Sequence, residues 1–225
     1  MGKGKYVFSQ LLDFLDRNHF NYLVRKYDGD KYVKNFTCYN QLVVLMYGQL
    51  SNRESLRDVV LATQAFAGKA YHLGFGKYTS RSTLADANNK RDYRIFEEFA
   101  YQVVAKAREC RATDIFKLGG NVYAFDSTTI ELCLDTFKWL KQHLKIKKFW
   151  SESENAVRIQ IYTAITAYCM MAIVQKKMRI DRPIYEMLQL VSASLAEATP
   201  LDVLFGKPNY NIVNELNGST EPTLF

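Results

Sequence analysis

The sequence predicts a mainly α-helical chain with one short β segment near residues 121–134. Three observations carry this expectation. Apolar residues recur at three- and four-residue spacing along most of the chain. Gly-, Asp- and Asn-containing breaks such as Asp28-Gly29-Asp30 and Gly74-Phe75-Gly76 cut these runs into helix-sized lengths. Only Val122-Tyr123-Ala124-Phe125, after Gly119-Gly120, reads as a compact β-rich run. The 225 residues are 48% hydrophobic and 14% aromatic, enough for a sizeable core and unlike a disordered chain.

In order along the chain, residues 6–24 carry Phe8, Leu11, Leu12, Phe14, Leu15, Tyr22 and Leu23 near helical spacing, with Ser9 as a cap candidate. Asp28-Gly29-Asp30 is a turn. Asn35 to Leu50 forms a second helix with Phe36, Tyr39, Leu42, Val43 and Met46 on one stripe. Ser51-Asn52-Arg53-Glu54 has the capping-box pattern and opens a helix through Leu56, Val59, Val60 and Ala67. After the break at 74–76, residues 79–91 begin a polar helix, and residues 92–110 continue as a helix with Tyr93, Phe96, Phe99, Val103 and Val104 inward.

Residues 54–91 thus have a helix-turn-helix-like layout, in which Arg81, Lys90 and Arg91 would meet DNA phosphates or bases. Two packed helices with a solvated polar face fit the pattern equally well, because the connection exceeds the motif's tight turn.

In the second half, residues 128–134 suit either a hairpin strand or the start of a helix; a helix from about Asp135 is favoured. Residues 137–150 interleave Lys138, Lys141, Lys145, Lys147 and Lys148 with aromatic and aliphatic residues. A cationic face of this kind suits a phosphate backbone, and the pattern also fits a membrane surface, a calmodulin-like partner or an ordinary solvated face. Glu154 to Lys177 is a buried helix, its apolar run Ile161 to Val174 being short for a membrane span. Pro183 to Ala198 is a further helix, and residues 206–225 are a flexible tail.

Formal net charge is +7, which favours a polyanionic partner, nucleic acid before membrane. Cys38, Cys110, Cys133 and Cys169 lack metal-ligand spacing and read as reduced cytosolic thiols. Asp126 ends the β-rich run, followed by Ser127, Thr128 and Thr129. A carboxylate there is either a turn or cap residue or a ligand for something bound.

The stretch Gly119-Gly120-Asn121-Val122-Tyr123-Ala124-Phe125-Asp126-Ser127-Thr128-Thr129 resembles the first catalytic strand of bacterial insertion-sequence transposases of the DDE type. The branch is the one bearing the tyrosine-arginine-glutamate-lysine signature. Residues 6–112 resemble its helical N-terminal region, including Arg81 to Asn88, and Phe137 to Leu204 resemble its C-terminal end. The resemblance implies a helical DNA-binding region at 1–112 and, at 113–205, the remnant of an RNase H-like α/β catalytic domain. In that family three carboxylates hold two Mg²⁺ ions for phosphoryl transfer at transposon ends. Asp126 matches the first carboxylate, so it would be both catalytic and a metal ligand.

The departure lies between Ser127 and Thr136, where a long central segment and the second Asp are expected. With the signature lysine set on Lys141, its other three positions fall on Ser127, Ile130 and Leu134, and none matches. Glu131 and Asp135 lie nearby without restoring the pattern. The expectation is therefore an internally deleted transposase with an incomplete catalytic site. Its partner would be double-stranded DNA, alone, as a homo-oligomer or paired with intact transposase, in the bacterial cytoplasm at the nucleoid. A binding-only derivative that regulates transposition, or a decayed fragment, is the alternative.

Overall fold

The computed structural model describes residues 4–76, 79–110 and 148–206. Regular structure among them is helical: α1 (Val7–Leu12), α2 (Arg17–Lys26), α3 (Cys38–Leu50), α4 (Leu56–Gln64), a 3-10 turn (Ala67–Lys69) running into α5 (Ala70–Leu73), α6 (Arg81–Lys90), α7 (Arg94–Glu109), α8 (Glu154–Lys177), α9 (Ile184–Ser194) and α10 (Leu201–Phe205). The mainly α expectation holds for these residues. The β segment at 121–134, Asp126, the lysines at 138–147 and the tail from 207 lie outside them.

Two helices organise the core because their sequences leave no polar face. In α3 the run Gln41 to Gly48 is buried throughout, and in α8 so is the run Thr166 to Val174. A helix apolar on all sides must be surrounded. α7 packs along α8 more extensively than any other described pair, and α3, α6, α9 and α1 also contact α8. By length and composition α8 could cross a membrane, yet 89% of its most apolar window is buried inside the protein. One core cluster joins Phe8, Phe20, Leu45 and Phe99 with Met170, Ile173 and Val191. The helices that follow residue 113 therefore share a core with those before 112.

Boundaries moved where local hydrogen bonds override periodicity. The helix expected over 6–24 is two helices, because Asp16 accepts the His19 N–H at 3.0 Å and caps α2. Ser9 lies inside α1, its hydroxyl donating to the His72 carbonyl. Thr37 and Asn40 form a reciprocal capping box at the start of α3. The box expected at Ser51–Glu54 is absent. Residues 51–53 instead close α3, with the Arg53 N–H on the Gly48 carbonyl at 2.9 Å and Asn52 at φ 55°. The next helix can start only beyond that turn, and Ser55 caps it by accepting the Asp58 N–H. Gly74, at φ 82°, ends α5 in the left-handed conformation that glycine adopts without penalty. At Arg91 the backbone is extended, so α6 and α7 are separate helices. The last predicted helix ends at Ser194, and α10 follows Pro200.

Candidate nucleic-acid interface

Helix α6 starts at Ser80, whose hydroxyl accepts the Thr83 N–H at 3.1 Å and lies 2.9 Å from the hydroxyls of Ser82 and Thr83. Leu84, Ala87 and Asn88 share one face at three- and four-residue spacing and are buried. Arg81, Ser82, Thr83, Asp86 and Lys90 are consequently exposed.

Polar bonds fix the inner side of α6. The Gln41 amide donates to Asn88 Oδ1 at 2.7 Å, and its Oε1 accepts from Arg91 Nη1 at 2.8 Å. Asn155 Nδ2 donates to the Asn88 and Arg91 carbonyls at 2.7 and 2.8 Å, and Ser153 Oγ donates to Asn89 Oδ1 at 2.6 Å. These bonds tie α6 to α3 and to the start of α8, so its outer face is presented on a fixed base.

Arg91 does not face outward. It is 9% exposed, and its guanidinium also donates to the Thr37 carbonyl at 3.0 Å and to the Phe36 carbonyl. The nearest carboxylate, Asp30, lies 4.0 Å away and accepts the Cys38 N–H at 2.6 Å. Burial pulls the Arg91 pKa below its ordinary value. Burial likewise pushes the neighbouring Cys38 thiol up to about 12. Arg91 turns inward because its backbone is extended between α6 and α7, which aims its side chain at the carbonyls ahead of α3.

Between α6 and the connection from Tyr27 to Phe36 lies a groove of about 690 Å³. Lys31 and Lys34 line one wall, Thr83, Asp86 and Lys90 the other, and Arg91 is also exposed to it. Lys90 pairs with Asp86 at 3.6 Å across one helical turn, and Lys31 with Asp28 at 3.8 Å. Lys34 is exposed and forms no ion pair with any described residue. Sequence reading passed over Lys31 and Lys34; the available signal was Lys31-Tyr32-Val33-Lys34 directly after a turn.

Of the residues expected to meet DNA, Lys90 and Arg91 share this groove, and Arg81 is exposed on the same helix. Lys148 is exposed near the α3–α4 turn. Its carbonyl accepts from Gln160 Nε2 at 3.2 Å, and Trp150 next to it donates through Nε1 to the Arg53 carbonyl at 3.2 Å. Asp126, Lys138, Lys141, Lys145 and Lys147 lie outside the described residues. α4 and α6 pack together, but the connection between them contains the 3-10 turn and α5 and is not the tight turn of a helix-turn-helix unit. Among the described residues no group of three or more His, Cys, Asp or Glu could hold a metal ion.

Residues 3–76 match the family described as Domain of unknown function (DUF4372). Over 75 residues the chain is 37% identical to a Sinorhizobium fredii protein named "Putative transposase y4zB", a match covering 33% of this chain. The chain spans about a fifth of that protein's length, 21%. No solved structure matches. The chain is therefore transposase-related. The family match takes in α1 to α5 and the Lys31–Lys34 wall of the groove, and it ends before α6.

Proposed function

We propose that this chain is the helical, DNA-binding part of an insertion-sequence transposase of the DDE type, with its catalytic domain internally shortened. Its likeness to a protein named as a transposase is the observation that carries this reading. The exposed Arg81 and Lys90 on a helix anchored from behind support it, as does the net charge of +7. Binding is to double-stranded DNA at transposon ends, with Arg81, Lys90 and Lys148 on phosphates. Lys138, Lys141, Lys145 and Lys147 add contacts from the basic stretch before α8. Arg91 holds the groove floor in place.

Only Asp126 matches the family's metal-binding carboxylates, so cleavage, and with it Mg²⁺, belongs to the intact relatives. This chain acts by occupying ends, alone, as a homo-oligomer or alongside intact transposase at the bacterial nucleoid.

The test is fluorescence anisotropy on terminal-repeat duplex and on scrambled duplex across a salt series. Binding should weaken steeply with salt, and Arg81→Ala should lower the log–log slope by about 1. Salt-insensitive or undetectable binding would sink the reading. A Mg²⁺-dependent nick made by the chain and lost in Asp126→Ala would show that the site is complete after all.

A further inference from the structure

We infer that the connection over residues 28–36 is a second DNA-backbone contact, facing α6 across the groove, with Tyr32 packed on a sugar and Lys31 and Lys34 on flanking phosphates. This rests on the DNA-binding reading above and assigns to it an element that neither the basic stretch nor α6 contains.

The first observation is an expense without a visible return in the fold. Tyr32 sits at φ 62°, a left-handed conformation unfavourable for a bulky L-residue, and its side chain is 92% exposed. The Lys31 ammonium lies 5.8 Å from its ring centroid. Strain retained at an exposed aromatic points to use by a partner.

The second observation is that the connection is built to hold Tyr32 there. The Gly29 N–H bonds the Val24 carbonyl at 2.9 Å, and the Lys31 and Val33 N–H groups bond the Asp28 and Asp30 carbonyls at 3.0 Å. Asp30 then takes the Cys38 N–H, and the Phe36 ring lies 5.4 Å from the Arg91 guanidinium. A contact held this firmly loses little freedom on binding.

The third observation is charge. The groove's carboxylates each have a cation of their own: Asp28 pairs with Lys31, Asp86 with Lys90, and Asp92 with Arg94 at 2.6 Å. That leaves Lys34 as the excess positive charge, since the buried Arg91 has Asp30 at 4.0 Å as its own carboxylate. Exposed lysine–carboxylate pairs are weak in water, so a row of phosphates can draw Lys31 and Lys90 away from them. An extended polyanion of regular charge spacing fits two lysine-bearing walls and an aromatic tip better than a small anion does.

The test uses the full chain, duplex DNA several helical turns long, and anisotropy over a salt series. Circular dichroism melts accompany each variant. Lys31→Ala combined with Lys34→Ala should lower the salt slope by about 2. Tyr32→Ala should weaken binding about fivefold at unchanged slope, the low end for an aromatic against nucleic acid, while Tyr32→Phe binds like the parent. All should melt near the parent temperature, since the changed side chains are exposed. If the double-lysine and Tyr32→Ala variants bind like the parent while Arg81→Ala is weakened, the inference fails and the DNA-binding reading stands. A parent chain that does not bind duplex, or binds only single-stranded RNA or an acidic polypeptide, overturns both.

Discussion

Replacing Arg91 with alanine should cost fold stability before it costs DNA affinity. The guanidinium is the described partner of two acceptors set behind the groove, the Phe36 carbonyl and Gln41 Oε1, and it adds a bond to the Thr37 carbonyl. The Thr37 carbonyl also accepts the Gln41 N–H, so it keeps one bond. Two orphaned acceptors at about 1–3 kcal/mol each would total about 2–6 kcal/mol. Water entering from the groove offsets part of this, and so does relief from desolvating a cation, leaving about 2–4 kcal/mol. In a chain of this size that lowers Tm by about 4–16 °C, measurable by circular dichroism. Arg91→Lys should recover only part, because one ammonium cannot reproduce the spread of a planar guanidinium. Below its lowered melting temperature, Arg91→Ala should keep the salt slope of the parent. An unchanged melt together with a slope reduced by about 1 would refute the inward role and return Arg91 to the DNA surface.

Other outcomes follow from the same geometry. A Cβ on Gly29 would lie 2.5 Å from Ile95 Cδ1 and 2.8 Å from Cys38 Sγ, so Gly29→Ala should destabilise by about 1–3 kcal/mol in urea titration. Tyr32→Gly should instead raise Tm slightly, by the equivalent of about 0.5–1 kcal/mol, because glycine tolerates φ 62°. Burial pushes the Cys38 and Cys169 thiols up to about 12, so at pH 8 both should resist a thiol reagent until denaturant is added. Hydrogen bonds from Arg94 lower the Asp92 pKa. Burial tends to raise that of Glu98, but bonds from Lys26 and Tyr27 outweigh it and lower it. Both carboxylates thus hold protons less readily folded than unfolded, so their contribution is present above about pH 4 and lost as pH falls through the folded values. Tm measured from pH 6 to pH 3 should fall, and less steeply in Asp92→Asn.

The helices were legible where apolar spacing was long and the breaks were glycines. Glu154–Lys177 came out at its full length because its run of buried residues leaves no ambiguity about where it goes. The cap of α4 falls on Ser55 rather than Ser51 because the deciding bond, Arg53 N–H to the Gly48 carbonyl, depends on how α3 ends rather than on a motif. The position of Arg91 was illegible for a related reason. Charge alone suggests solvent, and the acceptors that draw it inward lie 50 to 55 residues earlier. Lys31 and Lys34 went unnoticed because nothing local links them to α6; the groove exists only once α2, α3 and α6 have packed.

The pairing of α7 with α8 has a consequence for how such a chain tolerates rearrangement. The body formed by residues 4–76, 79–110 and 148–206 closes through its own contacts, and Trp150 is pinned by bonding the Arg53 carbonyl and Gln160. The end of α7 and the start of α8 are therefore two posts held by contacts inside the described body. In general each doubling of loop length costs only about 0.6 kcal/mol in closure entropy, so an eightfold change in the length joining two such posts would cost about 2 kcal/mol. Recombination that lengthened or shortened the stretch between these posts would be nearly silent for the helical body. A helical body arranged in this way can lose or acquire a segment between two of its helices without having to refold.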